Sequence, residues 1–150
     1  MIKMEGGERA LIVIVCVDDK NGVAFNRRRQ SKDRILQEHI LNMVGSSKLW
    51  MSPYSRKQFA DTREVHVIVD EECLEKAGDS DYCFAEDKDS SQYVEKIDTL
   101  ILFKWNRVYP ADTYFTLDTG NYTLEQSEDF AGYSHERITK EIYKMKKAGR

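Results

Sequence analysis

The hydrophobic positions of this chain fall into short runs of two kinds. Leu11-Ile-Val-Ile-Val-Cys-Val17 is apolar throughout, rich in β-branched residues, and bounded by Asp18-Asp-Lys-Asn-Gly22. A half-exposed strand would alternate, so this run predicts a central strand covered on both faces. Over residues 31–44 the period changes, with Ile35, Leu36, His39, Ile40, Met43 and Val44 recurring at helical spacing. That spacing predicts a helix with Ser31 as N-cap, Asp33 in the electropositive first turn and Gly45 as its stop.

The pattern then alternates. Lys48-Leu-Trp-Met51 predicts a short strand, and Ser52-Pro53 opens a helix through Phe59 with proline at its favoured first position. Residues 65–69 predict a strand, 71–77 a short helix capped by Asp70 and closed by Gly78, and 82–85 a strand. Residues 90–96 predict two helical turns and 99–103 another strand. Alternating strands and helices imply crossover units around a mostly parallel sheet. Further on, residues 114–117, 122–126 and 138–145 are separated by turns and predict an antiparallel edge, although Ile138, Ile142 and Met145 also fit a helix. The expected fold class is α/β, with three layers around a mostly parallel central sheet, in one domain of 150 residues.

Composition narrows the partners. The formal net charge is −3, which gives no basic surplus for nucleic acid; the one basic cluster is Arg27-Arg28-Arg29. The longest apolar run, residues 10–17, is too short to span a bilayer. Residues 1–9 lack the apolar segment and cleavage site of a secretory leader, so a cytoplasmic location is expected. Cys16, Cys73 and Cys83 lie in apolar or helical surroundings and are expected to be reduced packing residues. Tyr54, Tyr109 and Tyr133 are expected to be exposed, permitting a dimer without requiring one.

Two stretches carry a family likeness. Val17-Asp-Asp-Lys-Asn-Gly-Val-Ala24, the following helix and Leu49-Trp-Met51 form the first. Tyr82-Cys-Phe-Ala85, its helix, Leu100-Ile-Leu102 and Ala111-Asp-Thr-Tyr-Phe115 form the second. In order and spacing both resemble the dihydrofolate reductases, which implies that fold and, for an active member, NADPH and a pterin-like substrate. The resemblance places the catalytic acid on Leu36 without a gap or on Asp33 with a three-residue shift. As an acid for a pterin-like ring, Asp33 would need an apolar wall to raise its pKa, whereas the plain reading is a first-turn helix carboxylate. The resemblance also sets Arg63 where that family binds the glutamate tail of folate, against the simpler reading of a surface arginine.

Departures from the family argue against NADPH. Its Gly-Gly pair lets bare backbone approach the cofactor phosphates, and Ala85-Glu86 stands there instead, expected to block by its Cβ and repel by its charge. The segment between Phe59 and Tyr82 is shorter than the family needs for the adenosine end. Phe103 replaces a threonine that orients the substrate, and the Pro-Trp before the first helix is missing. The chain also resembles a family of small bacterial proteins, mostly from Firmicutes, labelled ribonuclease Z, through Arg27-Arg-Arg-Gln-Ser31, Lys48-Leu-Trp-Met51, Trp105-Asn-Arg107 and Gly132-Tyr-Ser-His135. That chemistry needs a tight His-x-His-x-Asp-His cluster for two metals, and His39, His66 and His135 are far apart, so no metal site is expected.

Other candidates are weighed on the residues themselves. Arg27, Arg28 and Arg29 are candidates to clamp a phosphate or a nucleic-acid backbone, or are a solvated loop. Trp105, Asn106 and Arg107 follow a central strand, where open α/β sheets place ligands; the plainer reading is an aromatic cap with Arg107 paired to Asp112. Ser134 and His135 are adjacent, with no orienting acid evident for a hydrolase. Cys16, inside a strand, should be inert. Three functions remain open: a reductase-fold protein that binds a small nucleotide-like molecule or a protein partner, an NADPH reductase of a pterin-like substrate, and a nucleic-acid-associated protein.

Overall fold

The structure, a computed structural model, describes residues 10–59 and 61–146; residues 1–9, on which the leader reading rests, lie outside the described residues. Its strands are β1 (Leu11–Val17), β2 (Gly22–Phe25), β3 (Arg28–Arg29), β4 (Lys48–Met51), β5 (His66–Val69), β6 (Tyr82–Phe84), β7 (Ile97–Lys104), β8 (Thr113–Tyr114), β9 (Tyr122–Phe130) and β10 (Ile138–Met145). Helices are α1 (Arg34–Val44), α2 (Pro53–Arg56) and α3 (Cys73–Lys76), with 3₁₀ turns at Ser90–Tyr93 and Thr119–Asn121.

A seven-stranded sheet runs in the order β9-β10-β7-β1-β6-β4-β5. Its strands from β7 through β5 are parallel, and β10 pairs antiparallel to both β7 and β9. The mostly parallel sheet with an antiparallel C-terminal edge is therefore present, and residues 138–145 are a strand. Pairing decides that ambiguity, because β10 has a partner on each side while its helical apolar stripe has none to face. Central β1 buries both faces. Val13, Val15 and Val17 join Cys83, Leu100, Leu102 and the apolar side of α3. Ile14 meets Phe84, Ile101, Phe103 and the buried Leu36, Ile40, Leu41 and Val44 of α1.

Local chemistry moved several boundaries. α1 starts at Arg34 with Asp33, not Ser31, as N-cap, because the Asp33 carboxylate accepts from the N–H groups of Ile35 and Leu36. Gly45 stops it at φ 57°, a left-handed conformation open to glycine. α2 has Ser52 as cap and Pro53 first, as expected, but ends at Arg56; the N–H groups of Gln58 and Phe59 bond three residues back and tighten the chain. α3 covers only Cys73–Lys76, since Asp70 spends its side chain on the Glu72 N–H ahead of the helix. Residues 90–96 make one 3₁₀ turn rather than two helical turns. β9 reaches Phe130, past the expected residue 126.

Residues 114–117 do not join the main sheet. β8 pairs with β2, and β2 with β3, in a separate three-stranded antiparallel sheet. Ala24 faces Arg29 and Phe25 faces Arg28, so Asn26-Arg27 forms a two-residue turn with φ 52° and 61°. Both signs match a type I′ hairpin, in which arginine is a strained choice for its second position. Arg27→Gly is expected to raise the unfolding free energy by about 0.5–1 kcal/mol, the left-handed penalty less the entropy glycine adds to the unfolded chain. Thermal denaturation would measure it; a lower midpoint would refute the strain.

Candidate functional site

Asp33 is the most heavily bonded side chain near the sites expected from sequence. Its Oδ1 accepts from the N–H groups of Ile35 at 2.9 Å, Leu36 at 3.3 Å and Tyr133 at 2.9 Å. Its Oδ2 accepts from the Ser134 N–H at 2.8 Å, Ser134 Oγ at 3.1 Å and His135 Nδ1 at 2.8 Å. The loop closes this tightly through Gly132, where a Cβ would stand 2.7 Å from Asp33 Oδ2. Burial alone would raise the Asp33 pKa, but the hydrogen bonds from Tyr133, His135, Ser134 and Leu36 outweigh it and hold the carboxyl well below its usual range. The acid expected to donate a proton to a ring is thus held as an anion, the opposite of the raised pKa that role needs.

The sign of the shift fixes a pH dependence. A carboxylate with a folded pKa below its unfolded value, about 3.9, contributes all of its stabilisation above that value and loses it as pH falls through the folded one. Urea unfolding of the wild type is expected to lose stability more steeply than Asp33→Asn between about pH 4 and pH 2. Parallel curves for the two proteins would contradict this assignment.

The cleft between α1 and β7 is closed. Phe103 is 0% exposed, packed with Leu36, Ile40, Trp105 and Ile138. Phe130 meets it edge-on at 6.2 Å, and His39 meets Phe130 at 4.0 Å. Leu36, the alternative position for the acid, is buried in the same cluster. Burial, then Lys140, holds the His39 pKa below its ordinary value.

An open cleft of about 570 Å³ lies elsewhere, between the β2–β3 hairpin, residues 113–116 and residues 85–90. Arg27, Arg28 and Arg29 all line it, but they differ. Arg29 Nε bonds Glu86 Oε2 at 2.6 Å, and its guanidinium lies 4.3 Å over the Tyr54 ring. Glu86 also accepts from Ser55 Oγ at 2.8 Å and Gln58 Nε2 at 2.7 Å. The carboxylate expected to repel a phosphate is therefore neutralised by Arg29 and saturated with donors, which corrects the electrostatic half of that argument. Lys88 pairs with Glu71 at 2.6 Å. Arg27 and Arg28 are exposed and, among the described residues, have no side-chain partner.

The turn leading into β2 is anchored by Asp18, which is buried and accepts from the N–H groups of Lys20, Gly22 and Tyr109 and from Gln30 Nε2. Burial opposes ionisation there, but the donors of Tyr109, Gly22, Lys20 and Gln30 lower its pKa. Two backbone donors near Ala85 are occupied. The Ala85 N–H bonds Ile14 O at 2.9 Å, and Asp89 takes the Ser91 N–H at 3.0 Å at the head of the 3₁₀ turn.

The remaining candidates disperse. Trp105 is 3% exposed and stacks on His135 at 4.5 Å and 26°. Asn106 donates to Arg137 O and Thr139 Oγ1. Arg107 donates to Ser134 O at 3.3 Å rather than pairing with Asp112, which instead accepts from the Asn26 N–H. This segment fastens the 131–137 loop and does not face the open cleft. Arg63 is exposed beside α1, donating to Asn42 Oδ1 at 2.7 Å. Tyr54 and Tyr109 are half-buried, and only Tyr133 of the three tyrosines is exposed. Cys16, Cys73 and Cys83 are free thiols; burial, then Glu86, pushes the Cys16 thiol far up. Among the described residues, no cluster of three metal-ligating side chains occurs, and no helix is long and apolar enough to cross a membrane.

The seven-stranded sheet, its strand order and the helix covering β1 define a dihydrofolate reductase-like fold. The sequence matches no protein-family model and no curated protein. Among solved structures it is similar to the dihydrofolate reductase from Enterococcus faecalis complexed with NADP(H) and RAB-propyl. The TM-score is 0.65 at 10% sequence identity, covering 93% of this chain and 98% of that one.

Proposed function

We propose that this chain is a dihydrofolate reductase-fold protein without NADPH-dependent pterin reduction, which binds a small nucleotide-like anion in the open cleft beside Ala85. The carrying observation is the pair of guanidinium groups, Arg27 and Arg28, without a side-chain partner among the described residues, lining that 570 Å³ cleft. Guanidinium groups without a carboxylate partner recruit phosphate through charge-assisted, two-point hydrogen bonds.

Three features weigh against reduction. Asp33 holds its carboxylate in six hydrogen bonds. Phe103, which the reductase resemblance sets at a substrate-orienting threonine, is packed against Phe130 in a closed apolar cluster. The pyrophosphate of NADPH needs backbone donors at a helix start, and here the turn is four residues long with Asp89 already on its Ser91 N–H. The residues present do not fit that cofactor. A protein-partner reading rests on Phe25 and Tyr114, exposed aromatics on the small sheet.

Tryptophan fluorescence of the full chain is expected to be unchanged by NADPH, and dihydrofolate with NADPH is expected to show no absorbance loss. In a thermal-shift panel, nucleoside mono- and diphosphates near 100 times Kd should raise Tm by about 5–10 °C. Arg28→Ala should weaken that binding about 10- to 100-fold. NADPH oxidation, or a panel with no shift at any concentration, would reject the reading. Oligonucleotide binding that collapses with salt would favour a nucleic-acid partner instead.

A further inference from the structure

The cluster around His135 exceeds what a structural latch requires. His135 is buried, with its Nδ1 at 2.8 Å from Asp33 Oδ2 and the Trp105 ring stacked on its face. With the proton of a neutral imidazole on Nδ1 facing that carboxylate, Nε2 presents a single lone pair. Tyr109 Oη stands 2.9 Å from Nε2 and satisfies it. Ser31 Oγ stands 3.2 Å from the same nitrogen and has no other hydrogen bond among the described residues. Both hydroxyls are within reach of that one lone pair, and Ser31 completes the order carboxylate, imidazole, hydroxyl that activates a nucleophile.

Ser31 is half-buried, and its neighbours open onto a second cleft. Gln30 and Tyr109, with Phe25, Arg28 and Pro110, line about 470 Å³ there. The buried Oε1 of Gln30 has no hydrogen-bond partner among the described residues. Phe25 supplies an apolar wall, and Arg28, exposed on the rim, supplies a cation.

We propose that Ser31, His135 and Asp33 act as nucleophile, general base and positioning residue in the hydrolysis of a small carboxylic ester that carries an anionic group toward Arg28. Ser31 Oγ bonds to the carbonyl carbon as its proton passes to His135 Nε2. The carbon–oxygen bond to the alcohol then breaks, and the alkoxide leaves with that proton, so Ser31 holds the acyl group. Water attacks the acyl carbon, giving a proton to Nε2; the acid departs and the proton returns to Oγ. No oxidant or metal enters the balance.

The test uses the full chain with a fluorophosphonate, with 4-nitrophenyl acetate, and with 4-nitrophenyl hemisuccinate as the anionic ester. Intact-mass analysis is expected to show one phosphonate adduct, mapped by peptide to Ser31, with turnover of both esters. Ser31→Ala, checked for native near-ultraviolet circular dichroism, should lower both reactions by about 10³-fold or more, while the distant Ser46→Ala leaves them unchanged. Arg28→Ala should remove the preference for hemisuccinate over acetate. No adduct on the folded wild type, an adduct on another residue, or undiminished reaction in Ser31→Ala overturns the proposal.

Discussion

Asp33→Ala is expected to lower the free energy of unfolding by about 3–5 kcal/mol, close to the limit for one substitution in a domain of this size. Loss of an N-cap accounts for about 1 kcal/mol of that. The larger share comes from the donors of Tyr133, Ser134 and His135, which lose their acceptor where side-chain exposure is 0% for Asp33 and 2% for His135. Asp33→Asn separates the two parts, since asparagine caps as well as aspartate but turns an amide toward donors that Oδ2 now receives. Urea denaturation should place Asp33→Asn within about 1 kcal/mol of the alanine variant. An asparagine variant as stable as the wild type would mean that capping is all Asp33 does.

Phe103→Ala carries the second large effect, a loss of about 3–5 kcal/mol from buried aromatic area and the cavity left behind. The ring lies between β7 and α1 with Leu36, Ile40, Phe130 and Ile138 around it, so the site has little freedom to collapse. Phe103→Thr restores the residue type that the reductase resemblance sets here, and it should still cost at least about 2 kcal/mol, because its hydroxyl enters an apolar cluster. Neither variant is expected to gain affinity for dihydrofolate by isothermal titration. A neutral Phe103→Thr, or one that binds the folate, would show that the filled cleft is not a barrier.

Much of the scaffold was legible because local rules and tertiary packing agreed. β1 is apolar at every position and buried on both faces, and Gly45 and Ser52 stand where helix ends required them. Errors arose where two local solutions were equally good. Ser31 and Asp33 are both N-capping residues two apart, and the choice fell to Asp33 through contacts with residues 133–135. The β2–β3 hairpin went unseen because its turn is Asn26-Arg27, without the glycine that marks such turns.

The site was less legible for a related reason. Charge was readable at Glu86, but its partner Arg29 lies 57 residues away, so an expected repulsion is an internal ion pair. The carboxylate bonded to His135 is not local, because Asp33 sits 102 residues earlier in the chain. The signals available were Gly132, a tight-approach residue just before Ser134, and Asp33 itself, already marked as a candidate. No periodicity connects them. The Trp105 ring stacks on the His135 imidazole, a contact between residues 30 apart that no local pattern signals.

The link from the head of α1 to the loop before β10 also governs the order in which a newly synthesised chain can mature. β7 needs β10 as its outer neighbour, and Asp33 needs the Tyr133 and Ser134 amides, so the head of α1 waits for a segment 100 residues further along the chain. Such distant pairings slow folding and lengthen the exposure of unfinished sheet edges. Closure should therefore come late and in one concerted step, when the Asp33 carboxylate finds its amides.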